Sequence, residues 1–357
     1  MDVLTHAVIG ASVAQLPLGS AISSMSFKQR ALVGSVAAIF PDIDYLLFPL
    51  NPLEFLAYWH RAETHSIVLA PLWALLLTLG WRLVKGMRKH GLALFWISLA
   101  GQLSHTVIDV LSMYGTQWLA PLNSHRFSMN LLFVIDGYFT FCALIVMSVL
   151  LFKQTSKLRW LVMIVPITYL SLVYQVKHQA HQQVVINDQR TGLNSIVTLL
   201  PQPFSPFYWQ VIHQKHDDID RAYLRLADDA VAPVVSALLG KPSQQDHYQL
   251  PDDLKWHRFS LFPEESPGRE MANEVWTHES FKAFQDFATY PVFYRHEDEN
   301  QGTCIWFSDL RYHWPNAIPP FRFGMCKNED QDWKLYRLRY FSHEAVKVPE
   351  IREIRGR

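Results

Sequence analysis

The sequence predicts a membrane α-helical bundle of about six membrane-embedded helices, followed by a soluble α+β domain with an antiparallel sheet. Three observations predict it. Residues 1–177 consist of long apolar runs, whereas residues 178–357 are polar and rich in Trp, Tyr, Phe and Pro. The mean hydropathy of +0.03 conceals this division. The basic residues of the first part cluster in short connecting segments, and its carboxylates and imidazoles gather in the others.

The apolar runs are Leu4–Leu18, Ala31–Leu50, Ser66–Val84, Leu92–Val110, Leu131–Phe152 and Leu158–Val176. The last four approach the ~20 residues that cross a hydrocarbon core. The first is short and carries His6, and the second is broken by Pro41-Asp42-Ile43-Asp44. These two read as short tilted helices or as a re-entrant pair buried inside the bundle. Either version returns Leu50 to the side of Met1. The start of the chain lacks the positive region of a secretory signal, so the first run is expected to be retained.

Charge sets the orientation. Lys28 and Arg30, then Arg82, Lys85, Arg88 and Lys89, then Lys153, Lys157 and Arg159 fall in three connections on one side. The positive-inside rule assigns that side to the cytoplasm. The opposite side, periplasmic in a cell with two membranes, then receives the N-terminus and the whole of residues 178–357. It also receives Asp2, Asp42, Asp44, Glu54, Glu63, Asp109 and Asp136, with five of the six histidines, His6, His60, His65, His105 and His125. Ionisable groups at membrane depth are costly unless paired or liganded. A divalent metal is the expected ligand of such a set.

The spacings fit ligation. His105 and Asp109 are four apart and share a helix face. Asp42 and Asp44 flank Ile43 on a Pro-initiated turn. His60 and His65 bracket a helix start for which Thr64 is the expected N-cap. The candidate metal ligands are therefore His6, Asp42, Asp44, His60, His65, His105 and Asp109. Mixed imidazole and carboxylate donors suit zinc first, with manganese or iron as alternatives, and one or two ions. Arg61 and Asp136 are the candidate catalytic residues. Arg61 reads equally as a phosphate clamp or as a salt-bridge partner of Glu63 or Asp136.

The string Thr5-His6…Gly10, Pro41-Asp42-Ile43-Asp44, His60-Arg61-Ala62-Glu63-Thr64-His65-Ser66, Ser104-His105-Thr106-Val107-Ile108-Asp109 and Gly115 resembles the LexA-binding, inner-membrane-associated metal-dependent hydrolases of bacteria. The likeness covers roughly residues 1–180. It implies a multi-pass inner-membrane protein with a His/Asp metal site and hydrolase activity, carried on His6, Asp42, Asp44, His60, Arg61, His65, His105 and Asp109. Ala62 stands where that family usually has Gly, and Ser112 where it usually has Thr. Neither change removes a ligand.

The two parts balance in charge. The first carries 12 Lys+Arg against 7 Asp+Glu and the second 20 against 25, which excludes the strongly basic profile of a nucleic-acid binder. In the second part, strands are predicted at Tyr208–His213, Ala222–Leu226, Val292–Arg295, Cys304–Phe307, Phe321–Met325 and Leu335–Phe341, with helices at Val231–Leu239 and Glu279–Phe287. Asp217-Asp218-Ile219-Asp220 lacks the Gly and distal Glu of a calcium loop and reads as a solvated turn. Cys304 and Cys326 could pair if the second part faces an oxidising compartment, but two cysteines do not establish a disulfide, and Cys142 reads as a core residue.

The expected function is a metal-dependent hydrolase acting on a lipid or lipid-linked phosphoester, with membrane lipid as partner and a C-terminal domain free to recruit proteins. A metal transporter or sensor is the alternative, and its translocation path would need polar residues through the inner leaflet. The runs Val33–Ile39, Pro71–Leu79, Leu92–Ile97 and Cys142–Leu151 are apolar there. A structural scaffold held by a metal is the third reading.

Overall fold

The computed structural model describes residues 2–17, 19–153, 155–191, 196–215, 218–228, 234, 237, 245–299, 302–328 and 332–349. The chain divides into two compact units. The first comprises residues 1–45 and 61–179, and the second residues 46–60 and 180–357. The segment 46–60 belongs to the same unit as the residues after 179.

Unit one is helical. α1 (Val3–Val13) is capped by Asp2, whose carboxylate accepts from the Thr5 N–H at 2.9 Å. α2 (Phe27–Ile39) opens with a capping box in which Ser26 and Gln29 exchange side-chain and backbone bonds. α4 (Ala70–Trp81), α5 (Gly91–Val110), α6 (Gly137–Phe152), the short α7 (Ser156–Leu161) and α8 (Ile164–Thr191) follow. α4 turns Ala70, Ala74 and Thr78 inward and leaves Leu72, Leu75, Leu76 and Leu79 exposed. Small residues inside and leucines outside invert the pattern of a water-soluble helix and suit a lipid environment.

The expectation of about six membrane helices needs correction. Among the described residues, two helical stretches, Arg88–Val110 and Ser156–Ile186, are long and apolar enough to cross a membrane. A third counts only if Pro52–His65 and Ala70–Trp81 are taken together as a bent span. α1 and α6 are apolar but have 11 and 16 residues, about 16 and 24 Å at 1.5 Å per residue, against a core of ~30 Å. α2 ends at Ile39, because Phe40–Leu47 winds as a 3-10 helix around Pro41. Apolar run length overstates helix length where prolines and glycines end the helix early.

Three helices of unit one meet at glycines. A Cβ on Gly10 would strike the Gly34 carbonyl and Ala38, one on Gly34 the Gly10 carbonyl and Ala14, and one on Gly101 would lie 2.9 Å from Ala37 Cβ. α1, α2 and α5 therefore touch backbone to backbone, as small-xxx-small pairs permit.

Unit two carries two antiparallel sheets. β1 (Ile196–Pro201), β2 (Tyr208–Lys215), β3 (Asp218–Arg225) and β4 (His257–Ser260) form one in sequence order. β5 (Pro291–Glu299), β6 (Gly302–Asp309), β7 (Arg322–Lys327), β8 (Lys334–Leu338) and β9 (Ala345–Lys347) form the other. Helices α9 (Gly268–Thr277) and α10 (Lys282–Phe287) supply Trp276 and Phe284 to an aromatic core around Phe307. The short α3 (Pro52–Glu54), capped by Asn51, and the wide turn Phe55–Trp59 belong to this unit. The Asn51 amide donates to the Pro349 carbonyl at 3.1 Å, and the Tyr58 hydroxyl to Asp286 at 2.7 Å.

The predicted strands all appear, with shifted ends, and β1, β4 and β9 are additions. β4 and β9 have four and three residues, too few for an alternating pattern to register. The helix expected at Glu279–Phe287 is present as a 3-10 turn plus α10, whereas that expected at Val231–Leu239 lies, except for residues 234 and 237, outside the described residues. Asp218 and Asp220 sit in β3 rather than in a turn, bonded to Ser260 and Arg258. Cys304 and Cys326 face each other across β6 and β7 and form a disulfide. Cys142 is free and half-buried.

Candidate metal centre

The centre is assembled from the ends of segments in unit one. α2 runs into the 3-10 turn that carries Asp42 and Asp44. The chain re-enters at Arg61 with φ of 57°, a left-handed conformation that costs a side-chain-bearing residue about 1 kcal/mol or more. The Arg61 N–H donates to Asp44 Oδ2 at 3.0 Å and holds this corner. His65 closes the 3-10 turn Glu63–His65. α5 presents His105 and Asp109 one turn apart, both fully buried.

Asp42, His65, His105 and Asp109 each offer a ligand atom, and these atoms lie within 4.8 Å of one another. His65 Nε2 stands 3.0 Å from His105 Nε2, 3.5 Å from Asp42 Oδ1 and 3.4 Å from Asp109 Oδ2. His105 Nε2 stands 3.7 Å from Asp42 Oδ1 and 3.2 Å from Asp109 Oδ2. A tetrahedral ion with bonds of 2.0–2.1 Å needs donor–donor edges of about 3.3–3.4 Å. The observed edges bracket that value.

The tautomers make the fit more pointed. His105 Nδ1 lies 2.6 Å from the Ala38 carbonyl. A carbonyl only accepts, so Nδ1 carries the proton and Nε2 presents a lone pair. His65 Nδ1 faces the Thr64 hydroxyl at 2.9 Å and Asp44 Oδ2 at 3.6 Å, while Thr64 itself points at Asp44 at 3.5 Å. Nδ1 is the donor there as well. Two imidazole lone pairs and two carboxylate oxygens thus converge on one buried point. A cation removes their mutual repulsion, and outer carbonyl and carboxylate partners of this kind orient metal-binding imidazoles.

The other predicted residues have distinct places. His6 stacks on His105 with centroids 3.7 Å apart, and its Nε2 lies 3.2 Å from Asp109 Oδ1. Asp44 supports His65 and Arg61 from outside the four donors. His60 ends the segment that packs in unit two, where its ring stacks on Phe55 at 5.0 Å, and it is not one of the four. Among the described residues one such group is brought together.

Arg61 pairs with neither Glu63 nor Asp136. Its guanidinium meets Asp109 Oδ1 at 2.9 Å, donates to Ser112 Oγ at 2.8 Å and covers the Tyr114 ring at 5.1 Å. Asp136 caps α6, accepting from the Phe139 N–H, and also accepts from the Tyr169 hydroxyl at 3.0 Å. Thr64 is not a helix cap. α4 begins only at Ala70, with Leu69 at its N-cap and no side-chain capping bond, and Ser66 Oγ accepts from Val68 N–H at 3.1 Å and Leu69 N–H at 3.3 Å in the turn before it.

Three contributors were missed by sequence reasoning: the Ala38 carbonyl, Ser112 and Tyr114. A carbonyl leaves no residue-type signal. Ser112, three residues after Asp109, has a hydroxyl that both accepts from Arg61 and donates to the Asp109 carbonyl at 2.8 Å. A Thr at that position carries the same hydroxyl.

Long apolar helices around a buried His/Asp cluster define an integral membrane protein with a candidate metal centre. The comparisons place it more closely. The YdjM inner membrane protein family matches residues 1–180, which include every residue of the centre, and the chain belongs to that family. It is 30% identical over 132 residues to Inner membrane protein YbcI of Escherichia coli (strain K12), covering 35% of this chain and 70% of that protein. No solved structure matches. The protein is therefore a bacterial inner-membrane protein. Neither description speaks of LexA or of hydrolysis, and the family match ends where the C-terminal unit begins.

Proposed function

We propose that the chain is a membrane-embedded metal-dependent hydrolase acting on a lipid or lipid-linked phosphoester. The observation that carries this reading is the convergence of two imidazole lone pairs with two carboxylate oxygens inside an apolar bundle. Asp42, His65, His105 and Asp109 would hold a divalent ion, zinc first by donor type, with manganese or iron as alternatives. Such an ion supplies Lewis acidity that activates water and polarises a phosphoryl oxygen.

The remaining residues have assignable work. Arg61 offsets the charge of Asp109 and keeps its carboxylate aimed inward, so it acts as a positioning residue. His6 is buried, and neither of its ring nitrogens makes a hydrogen bond of good geometry. It is the group available to take a proton beside the centre. The Asp42 side chain keeps 15% of its surface exposed, whereas those of His65 and Asp109 are closed off. A substrate therefore approaches past Asp42. Asp136, bonded to Tyr169 and the α6 backbone, supports the fold in this reading.

One observation favours the scaffold alternative. Four protein donors complete a tetrahedron, as in structural sites, whereas catalytic sites keep a position open. Elemental analysis of metal-replete protein, combined with a screen of phospholipid and polyprenyl-phosphate substrates, separates the readings. About one divalent ion per chain with turnover on one substrate supports the hydrolase. One ion without turnover, and unfolding on chelation, supports the scaffold. No metal after metal-replete purification rejects both.

We further propose that the centre and the C-terminal unit lie on the periplasmic side. The Cys304–Cys326 disulfide suits an oxidising compartment. Denaturing alkylation without reductant is expected to label Cys142 alone, and with reductant all three cysteines. Labelling of all three without reductant in protein taken directly from cells would put the C-terminal unit in the cytoplasm.

A further inference from the structure

A cleft of about 840 Å³ opens in the C-terminal unit, walled by β3 and β4 of one sheet, by β5 and β6 of the other, and by the segment 313–319. That volume falls in the range of small-molecule sites. It belongs to a part of the chain outside the family match, and the inference is independent of the metal centre.

Arg221 is the unusual residue. Its guanidinium lies against the Tyr223 ring at 4.8 Å and the Phe259 ring at 4.4 Å, and Nη1 approaches His313 Nδ1 at 3.4 Å. Among the described residues no carboxylate pairs with it, and its Nε is buried without a partner. The adjacent Asp220 is taken by Arg258, at 2.9 and 3.2 Å. His313 does not supply negative charge. Its Nδ1 accepts from Arg221 while Nε2 meets Ser308 Oγ at 3.0 Å. Burial, and then the neighbouring guanidinium groups of Arg221 and Arg322, push its pKa down to about 3, so the ring stays neutral.

A guanidinium has five donors in a planar fork. Stacking on two rings favours it but uses none of them. Withdrawing such a charge from water without a counter-charge is costly, and oxyanions match the fork bidentately. Tyr223, Phe259 and Trp314 make the walls flat and apolar, and Lys255 adds a second cation at the exposed edge. Asp246, also exposed, stands at that edge and disfavours a polyanion.

We propose that this cleft binds the oxyanion group of an amphiphile, the anion on Arg221 and the apolar body against Tyr223, Phe259 and Trp314. The test uses the full chain in phosphatidylcholine nanodiscs, titrated calorimetrically with phenyl phosphate, inorganic phosphate and short-chain phosphatidylglycerol. Phenyl phosphate is expected to bind more tightly than inorganic phosphate. Arg221→Gln is expected to weaken it at least about tenfold, the scale of one lost charge-assisted bond. Lys255→Ala, at the exposed edge where folding is not at issue, is expected to weaken it about threefold. Tight binding of phosphatidylglycerol that displaces phenyl phosphate makes the source a lipid headgroup, and binding of phenyl phosphate alone makes it a soluble molecule. Equal affinity for inorganic and phenyl phosphate overturns the amphiphile. Absence of binding by all three probes, or binding that Arg221→Gln and Lys255→Ala leave unchanged, overturns the site.

Discussion

His105→Ala is expected to reduce divalent-metal affinity more than about 100-fold, beyond the 10–100-fold typical of an outer-shell change. The imidazole contributes one of the four converging donors, and its Nε2 makes edges of 3.0, 3.2 and 3.7 Å with the other three. Alanine leaves Asp109 and His65 facing each other across a void inside the bundle. Asp44→Asn is the graded comparison. The amide oxygen still accepts from the Arg61 N–H, but the carboxylate beside His65 Nδ1 is lost, so a 10–100-fold decrease is expected. Asp136→Asn, a cap bonded to Tyr169, should leave metal content unchanged. Metal content by mass spectrometry after dialysis against a competing chelator ranks the three variants. Full retention in His105→Ala would remove the centre from this account.

Gly34→Ala is expected to destabilise the bundle by at least about 3 kcal/mol, the upper end of the overpacking range. The added methyl would collide with the Gly10 carbonyl and lie 2.6 Å from Ala14 Cβ. Backbone cannot swing aside as a side chain can, so α1 and α2 must separate. That separation also moves the Ala38 carbonyl, which holds the tautomer of His105 from 2.6 Å, so metal affinity should fall together with stability. Gly80→Ala is the control, since a Cβ there meets nothing within 4 Å. It is expected to be neutral or to stabilise by up to about 1 kcal/mol, as a helical Gly→Ala change does. Unfolding in mixed micelles with rising sodium dodecyl sulfate measures both. Equal stability of the two variants would show that α1 and α2 do not pack through their glycines.

Much of the candidate site was legible because its donors are chemically conspicuous in an apolar background. His105 and Asp109 share a helix face by spacing alone, and Asp42 and Asp44 stand out beside a proline. What the pattern did not resolve was rank among the donors. His6, Asp44 and His60 have the same chemistry as the four that converge. His6 instead stacks on His105, Asp44 supports His65 from outside, and His60 packs on Phe55. Arg61 has two acidic neighbours in sequence or depth, Glu63 and Asp136, yet pairs with Asp109, forty-eight positions away. Proximity along the chain is a poor guide where helix ends bring distant segments together.

By itself, the sequence determined the division into an apolar and a polar half, the approximate seats of the helices and most of the strands, and the pool of residues able to hold a cation. These follow from composition and short-range periodicity, which are local properties of the chain. The tertiary structure alone decided where helices stop short of a span, that segment 46–60 packs with the C-terminal unit, that Cys304 faces Cys326, and which four donors share one point. Those outcomes depend on contacts between residues tens to hundreds of positions apart. Such contacts are set by backbone approach at Gly10, Gly34 and Gly101 and by strand register, and no local pattern records them.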